Sequence, residues 1–149
     1  MIGKATSVKS QIVERLLAIL QPLQDGGTVR KIVREHALFA LEAVRPALHV
    51  VTGEERVIEQ DSHGYRVEFP LALQIIFAEQ RDPYTAGDEF EAAVQAVIEA
   101  DEQLEGLASK ITYNGAAPFV SEEAKPNAYV VVEYLVEYRR AKAAPKVNY

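Results

Sequence analysis

The longest regular pattern in the chain runs from Tyr65 to Phe77, where every second side chain is apolar. The apolar positions are Tyr65, Val67, Phe69, Leu71, Leu73, Ile75 and Phe77. A period of two predicts one long β-strand with a single buried face. At roughly 3.3 Å per residue the strand would span about 43 Å, whereas a compact chain of this length is about 38 Å across. The strand must therefore bend within its domain or reach towards a neighbouring subunit.

A second alternating pattern lies between residues 129 and 139. Its first face carries Val130, Val132, Tyr134, Val136 and Tyr138, and its second face carries Val131, Glu133, Leu135, Glu137 and Arg139. This pattern predicts a second long strand. Tyr129, Tyr134 and Tyr138 are large amphipathic side chains of the kind enriched at interfaces, although core packing explains Tyr134 and Tyr138 equally well.

Two segments have the period of an amphipathic helix. Ser7 is placed to cap the first helix, and Asp25-Gly26-Gly27 ends it. Its apolar positions are Val8, Ile12, Leu16, Ile19, Leu20 and Leu23. After a loop at 81–84, Thr85 and Asp88 have the spacing of a capping box for the second helix. Its apolar side is formed by Phe90, Val94, Val97 and Ile98.

Shorter patterns complete the layout. Strands are predicted at 47–51, 56–59 and 110–113, and Asp61-Ser62-His63-Gly64 predicts a hairpin turn before the long strand. Pro70 has no N–H for a ladder, so it should lie at a sheet edge or at a bulge where the strand turns. Asn114-Gly115 should close the strand before it, with a polar loop at 118–126. Residues 28–44 fit either one helix or a short edge strand at 29–34 followed by a single helical turn, and we favour the second.

This order of elements predicts an α+β fold. An antiparallel or mixed sheet of four to five strands should carry two main helices on one face. At 149 residues the chain is most simply one domain. The segment 141–149 is small, basic and broken by proline, and is predicted to be a flexible tail.

Composition narrows the class of function. The net charge is −6, which argues against a dedicated nucleic-acid binder. Cysteine is absent, so there is no disulfide, thiolate metal site or cysteine nucleophile, as fits a reducing cytoplasm. The beginning of the chain has no signal-peptide pattern, and no stretch is long and apolar enough for a membrane span.

Chemistry-bearing residues do not group into a recognisable site. His36, His49 and His63 lack metal-ligand spacing, and the carboxylates, in pairs such as Glu54-Glu55 and Glu122-Glu123, indicate a solvated acidic surface. Basic residues cluster at Arg30, Lys31 and Arg34, and again at Arg139, Arg140, Lys142 and Lys146. We interpret these basic residues as a solvated surface. If subunits formed a ring, the same side chains could instead line its channel and contact phosphates. We therefore expect no enzyme, no catalytic residue, no cofactor and no metal.

The layout resembles the tail terminator proteins of long-tailed bacteriophages, the minor tail protein U type. The stretches that carry the resemblance, within about Val8 to Arg140, are the first helix, Pro46-Ala47-Leu48-His49-Val50 with Gly53-Glu54-Glu55, the long strand, the second helix, the turn 101–107 and the final strand 132–139. Family members often carry a D-x-T-L-G-G-like turn after the second helix. This chain has Gln103 at the threonine position and Glu105 at the first glycine.

The resemblance implies a structural protein of the virion tail, from a phage or prophage, assembled in the host cytoplasm. Subunits would form a homo-oligomeric ring, a hexamer in the family, that caps the tail tube, ends its polymerisation and provides the head-joining surface. Its partners would be the tail tube protein and the head–tail connector, with no membrane and with DNA at most passing through a channel. A tail completion or connector subunit, or a small non-enzymatic ligand-binding domain, is the alternative. Interface residues are predicted to be Leu73, Ile75, Phe77, Tyr129, Tyr134, Tyr138 and Arg139.

Overall fold

The computed structural model describes residues 7–34, 44–78, 82–120 and 127–142. The secondary structure consists of α1 (Val8–Asp25), β1 (Lys31–Arg34), β2 (Ala47–Thr52), β3 (Arg56–Gln60), β4 (Gly64–Ala78), α2 (Pro83–Glu99), a 3₁₀ turn (Leu104–Gly106), β5 (Lys110–Val120) and β6 (Asn127–Ala141). The α+β prediction is confirmed, and the described residues contain six strands where four to five were expected. The predicted tail lies outside these ranges from residue 143 onwards.

The strands form one mixed sheet in the order β1-β2-β4-β6-β5, and β3 pairs with β4 beyond the end of β2. β4 and β6 are antiparallel partners over all 15 residues of each, from Gly64↔Ala141 to Ala78↔Asn127. On its other side β4 pairs with β2 and then with β3. The two long strands predicted from alternation therefore lie beside each other.

Both helices cover the same face of this sheet. The alternating positions of β4 and β6 that were predicted to be apolar join α1 and α2 in one core cluster, which includes Leu16, Phe69, Val94, Val130 and Tyr138. Ser7 caps α1 by accepting a hydrogen bond from the Ser10 N–H, as predicted. We call the other side of the sheet the open face.

Residues 28–44 are described in part. Lys31–Arg34 form a strand parallel to β2, which agrees with the favoured interpretation at this point. The proposed helical turn that follows falls on 35–43, outside the described residues.

Pro70 lies in a central strand, so its predicted place at an edge or bulge is wrong. The β4–β6 register passes through Pro70↔Leu135 without a shift. Gly53 N donates to Pro70 O at 2.9 Å, and the N and O of one residue in an antiparallel strand point to the same side. The missing N–H therefore faces the break between β2 and β3, where it costs no ladder hydrogen bond with β6.

Two other local predictions need correction. β5 does not close at Asn114-Gly115 but continues to Val120, with a register shift between Tyr113 and Gly115 where Gly115 has φ +114°. The second helix begins at Pro83, two residues before the predicted cap, because the Asp82 carboxylate accepts from both the N–H and the hydroxyl of Thr85. Of the predicted loop at 118–126, residues 121–126 lie outside the described ranges.

Candidate assembly surfaces

The predicted interface residues occupy two different environments. Five of them are 2% exposed or less, inside the core of the single chain: Leu73, Ile75, Phe77, Tyr134 and Tyr138. Tyr129 is half-buried and Arg139 is exposed. A second chain can therefore touch Tyr129 and Arg139 directly, whereas the other five side chains support the sheet from within.

The open backbone edges lie on strands other than the long ones. β4 and β6 each have strand partners on both sides, so neither needs a second copy to complete its ladder. In the described part of the chain, β1 and β5 are the two ends of the sheet, and β3 pairs with β4 alone. Edge hydrogen-bonding groups are the usual template for strand pairing with another chain.

The end of the open face near the β3–β4 turn carries charges that are matched across strands. Arg66 Nε lies 2.9 Å from a Glu137 oxygen, and Lys110 reaches the same carboxylate at 3.7 Å. Further pairs on this face are Arg56–Glu68, Arg66–Glu59 and Arg139–Asp61. Arg140, opposite Tyr65 on the helix-bearing face, pairs with Glu55. Exposed pairs each contribute little to stability. Since these charges are balanced within the chain, this end attracts neither a cationic nor an anionic partner strongly.

Asp61 is the most perturbed carboxylate among these pairs. Its side chain accepts hydrogen bonds from the Arg139 guanidinium and from the backbone N–H groups of His63 and Gly64. These donors, Arg139 first, lower the pKa of Asp61 to about 2. The same contacts fix the predicted hairpin turn, so the role of Asp61 is structural.

Towards the other end the open face becomes apolar. Pro70 and Leu135 line a shallow groove of about 350 Å³, bordered by Glu54, Arg56 and Glu68. Farther along, Tyr129 and Val33 pack against Ala47 and Ile76. Tyr129 and Arg139 thus lie on the same face of β6 at opposite ends, about 33 Å apart along the strand.

A cluster of tyrosine and glutamate residues lies where α2 meets β5. Tyr113 Oη donates to Glu91 Oε1 at 2.7 Å, and Gln95 Nε2 donates to the same oxygen at 3.0 Å. The Tyr113 ring lies 5.8 Å from the Tyr134 ring, at an interplanar angle of 49°. The Tyr134 hydroxyl is buried and has no hydrogen-bond partner among the described residues. We call Glu91, Glu99, Tyr113 and Tyr134 the α2–β5 site.

The negative charges at this site disfavour any further negative charge there. Burial raises the pKa of Tyr134, and the charges of Glu99 and Glu91 raise it further. The hydrogen bond to Glu91 likewise raises the pKa of Tyr113. Glu99 is exposed, and no ion pair to a described residue neutralises it. The site therefore holds two carboxylates and two tyrosines that stay protonated, an arrangement that favours a cation.

The predicted basic group at the opposite end of the sheet is exposed. Arg30, Lys31 and Arg34 lie on and just before β1, and none forms an ion pair with another described residue. Of the second basic group, Arg139 and Arg140 pair with Asp61 and Glu55, and Lys142 lies 5.9 Å from the Tyr65 ring centroid. Lys146 falls outside the described residues.

The histidines do not converge in the described structure. His49 is buried in β2 and His63 is exposed in the turn before β4, while His36 lies outside the described ranges. Within 7–34, 44–78, 82–120 and 127–142, no group of three histidine, cysteine or acidic side chains could hold a metal ion. No helix in these ranges is long and apolar enough to cross a membrane.

Sequence reasoning missed the α2–β5 site because its members are distant in sequence. Glu91 and Tyr113 are 22 residues apart, and they meet only because α2 packs over the β5–β6 end of the sheet. The local pattern held one indication: Glu91, Gln95 and Glu99 recur every four residues and therefore share one side of α2.

Comparison with known proteins gives a distant likeness. No protein-family model matches the chain, and no curated protein matches it. Among solved structures, a chain from the virion of a native gene transfer agent (GTA) particle is similar at a TM-score of 0.40 and 13% sequence identity. The match covers 90% of this chain and 92% of that chain.

Proposed function

We propose that this protein is a non-enzymatic structural subunit of a phage-type virion tail, of the terminator kind. Copies form a homo-oligomeric ring that caps the end of the tail tube, stops its polymerisation and provides the surface for joining the head. The work of such a protein is selective binding: it must bind the tube end in place of another tube subunit.

One observation carries the proposal: among the strands that the structure describes, β1 and β5 each have an open backbone edge at an end of the sheet. Each copy thus offers one edge to one neighbour and a different edge to the other. A heterologous contact of this kind generates a closed ring or an open filament. The proposal is also supported by the layout, because the stretches that carry the family resemblance fall on α1, β2, β4, α2, the 101–107 turn and β6.

The direct test is a capping experiment. Tail tube protein is allowed to polymerise with and without this protein, and tube lengths and ends are examined by electron microscopy. The proposal expects shorter tubes with a ring at one end. The Leu73→Asp variant, which replaces a fully buried core side chain, is the negative control for tube length without capping. Tubes of unchanged length with bare ends would contradict the proposal.

Two further measurements separate the alternatives. Binding to the isolated head–tail connector without binding to tubes would identify a connector or completion subunit instead. The mass of the purified protein at high concentration addresses the ring itself, and we expect a hexamer to dominate. A monomer that binds a small apolar molecule would favour the ligand-binding domain.

A further inference from the structure

The two ends of the sheet carry opposite, unneutralised charge. At one end, Glu91 and Glu99 project from α2 beside Tyr113 of β5. At the other end, Arg30, Lys31 and Arg34 are exposed around β1. Elsewhere in the described part of the molecule, the arginines of the open face are paired with acids of the same chain. The basic side chains around β1 therefore remain available to the acids of a second copy.

The carboxylates of the α2–β5 site and Arg34 lie on the helix-bearing side, whereas Lys31, opposite Ala47, is directed to the open face. Ile32 packs against the main core, so Arg34, two residues further along the same strand, is directed to that side as well. Tyr113 is opposite Tyr134, whose side chain belongs to the same core. A copy placed beside another in the direction of the strand order thus brings its β1 end to the α2–β5 site of its neighbour.

We propose that the α2–β5 site binds a basic side chain from the β1 end of a second copy, with Arg34 as the main ligand and Arg30 beside it. Glu99 and Glu91 pair with the guanidinium, and the 39%-exposed Tyr113 ring offers its face to the cation. The contact is head-to-tail, so repetition gives the ring of the proposed function, on which this inference rests.

The Tyr134 hydroxyl is the feature that a purely solvated acidic patch does not explain. It is buried without a hydrogen-bond partner among the described residues, and the negative charges of Glu99 and Glu91 act on it. The exposed Glu99 side chain can change rotamer within nanoseconds. In the assembled contact, one Glu99 oxygen accepts from Tyr134 while the other pairs with the incoming arginine. Tyr134 is thus a positioning residue for Glu99.

Charge reversal tests the contact and its polarity. Glu99→Lys and Arg34→Glu should each weaken self-association at least about tenfold, measured by sedimentation velocity at low salt. Mixing the two variants should restore association, because each altered end then faces an end of opposite charge. Glu14→Lys, the same charge change at an exposed position of α1, should behave as the unmodified chain. Unchanged association of Glu99→Lys and Arg34→Glu would overturn the contact.

The absence of native cysteine allows a second, geometric test. Chains carrying Glu99→Cys and chains carrying Arg34→Cys are mixed and oxidised mildly. We expect a heterodimer between them in clear excess over the dimer formed by Glu14→Cys and Arg34→Cys chains. Equal yields from the two mixtures would overturn the contact, including for a protein that is otherwise monomeric.

Tyr134→Phe separates positioning from packing. It keeps the ring and removes the hydroxyl, so association should fall by about threefold or more while the fold is retained. The inference and the proposed function fail separately. Capped tubes with association unaffected by charge reversal would leave the function standing and remove this contact. A confirmed contact with uncapped tubes would support this contact and contradict the proposed function.

Discussion

Polar side chains of this protein acquire their roles from partners that are distant in the chain. Asp61 was read as part of a turn, which is correct, yet its strongest donor is Arg139, 78 residues away. Tyr134 was open to either core or interface use, and the structure places its ring in the core beside an unmatched hydroxyl.

Removing Arg139 should change the titration of Asp61. The native contacts lower the pKa of Asp61 to about 2 from its ordinary value of 3.8. The ionised Asp61 carboxylate therefore stabilises the fold fully above pH 3.8, and this contribution is lost as the pH falls towards 2. Arg139→Ala should raise this pKa, as followed by NMR of the carboxyl carbon. Arg66→Ala, which removes pairs to Glu59 and Glu137 instead, should leave it unchanged, and an equal shift in both variants would contradict this assignment.

Tyr134→Phe should stabilise the isolated subunit. A buried hydroxyl without a partner costs about 1–3 kcal/mol, so its removal should raise the free energy of unfolding by about 1 kcal/mol in urea denaturation. The matched change Tyr113→Phe removes a hydrogen bond to Glu91 and should lower stability slightly. A loss of stability in Tyr134→Phe would show that the hydroxyl is satisfied in solution.

At the scale of elements the sequence was far more informative. Period-two alternation indicated β4 and β6 as long strands, and the strictly apolar face of β4 is the one buried under the helices. The errors came from residue types with two uses. Asn-Gly can form a β-bulge as well as a turn. Asp82, which precedes Pro83, can cap a helix just as Thr85 can.

The break between β2 and β3 depends on a close approach of Gly53 to Pro70. A Cβ added at Gly53 would lie 2.3 Å from Pro70 Cγ. Gly53→Ala should therefore cost about 1–3 kcal/mol of unfolding free energy. In a Pro70→Ala background the cost should be smaller, because the colliding ring atoms are gone. Equal costs in the two backgrounds, measured by chemical denaturation, would refute the collision.

Core positions of β4 should be intolerant of substitution, unlike their neighbours on the open face. Leu73 is fully buried, so Leu73→Ala should cost about 2–5 kcal/mol and Leu73→Asp or Ile75→Asp should prevent folding. Gln74→Ala, one residue along on the opposite face, should change stability by less than about 0.5 kcal/mol. A folded, assembled Leu73→Asp variant by circular dichroism and mass would contradict this burial.

At the scale of the whole molecule, the length of the strands was predicted correctly but its cause was not. We expected β4 to bend or to reach a neighbour, yet its own chain supplies partners on both sides. The short strand at 29–34 was expected at an edge and lies there as β1, but no pattern marks β5 as the other edge, because that depends on the order of strands in the sheet. The opposite charge of the two ends follows from the same order.

Association between copies should depend strongly on salt if the ends attract one another. The Debye length falls from about 10 Å at 0.1 M salt to about 3 Å at 1 M. We expect the association constant from sedimentation to fall steadily over this range in the unmodified chain. The weak residual association of Glu99→Lys should vary much less, and a salt-independent constant in the unmodified chain would point to an apolar contact.

The position of β6 has a consequence for how the protein is made. Residues 127–141 are late in the described chain yet lie between β4 and β5, and they contribute Val132, Tyr134, Val136 and Tyr138 to the interior. Until they leave the ribosome, one whole side of β4 has no partner and an apolar surface faces water. Completion of the sheet must therefore wait for this last segment, and the nascent chain needs protection from aggregation until then.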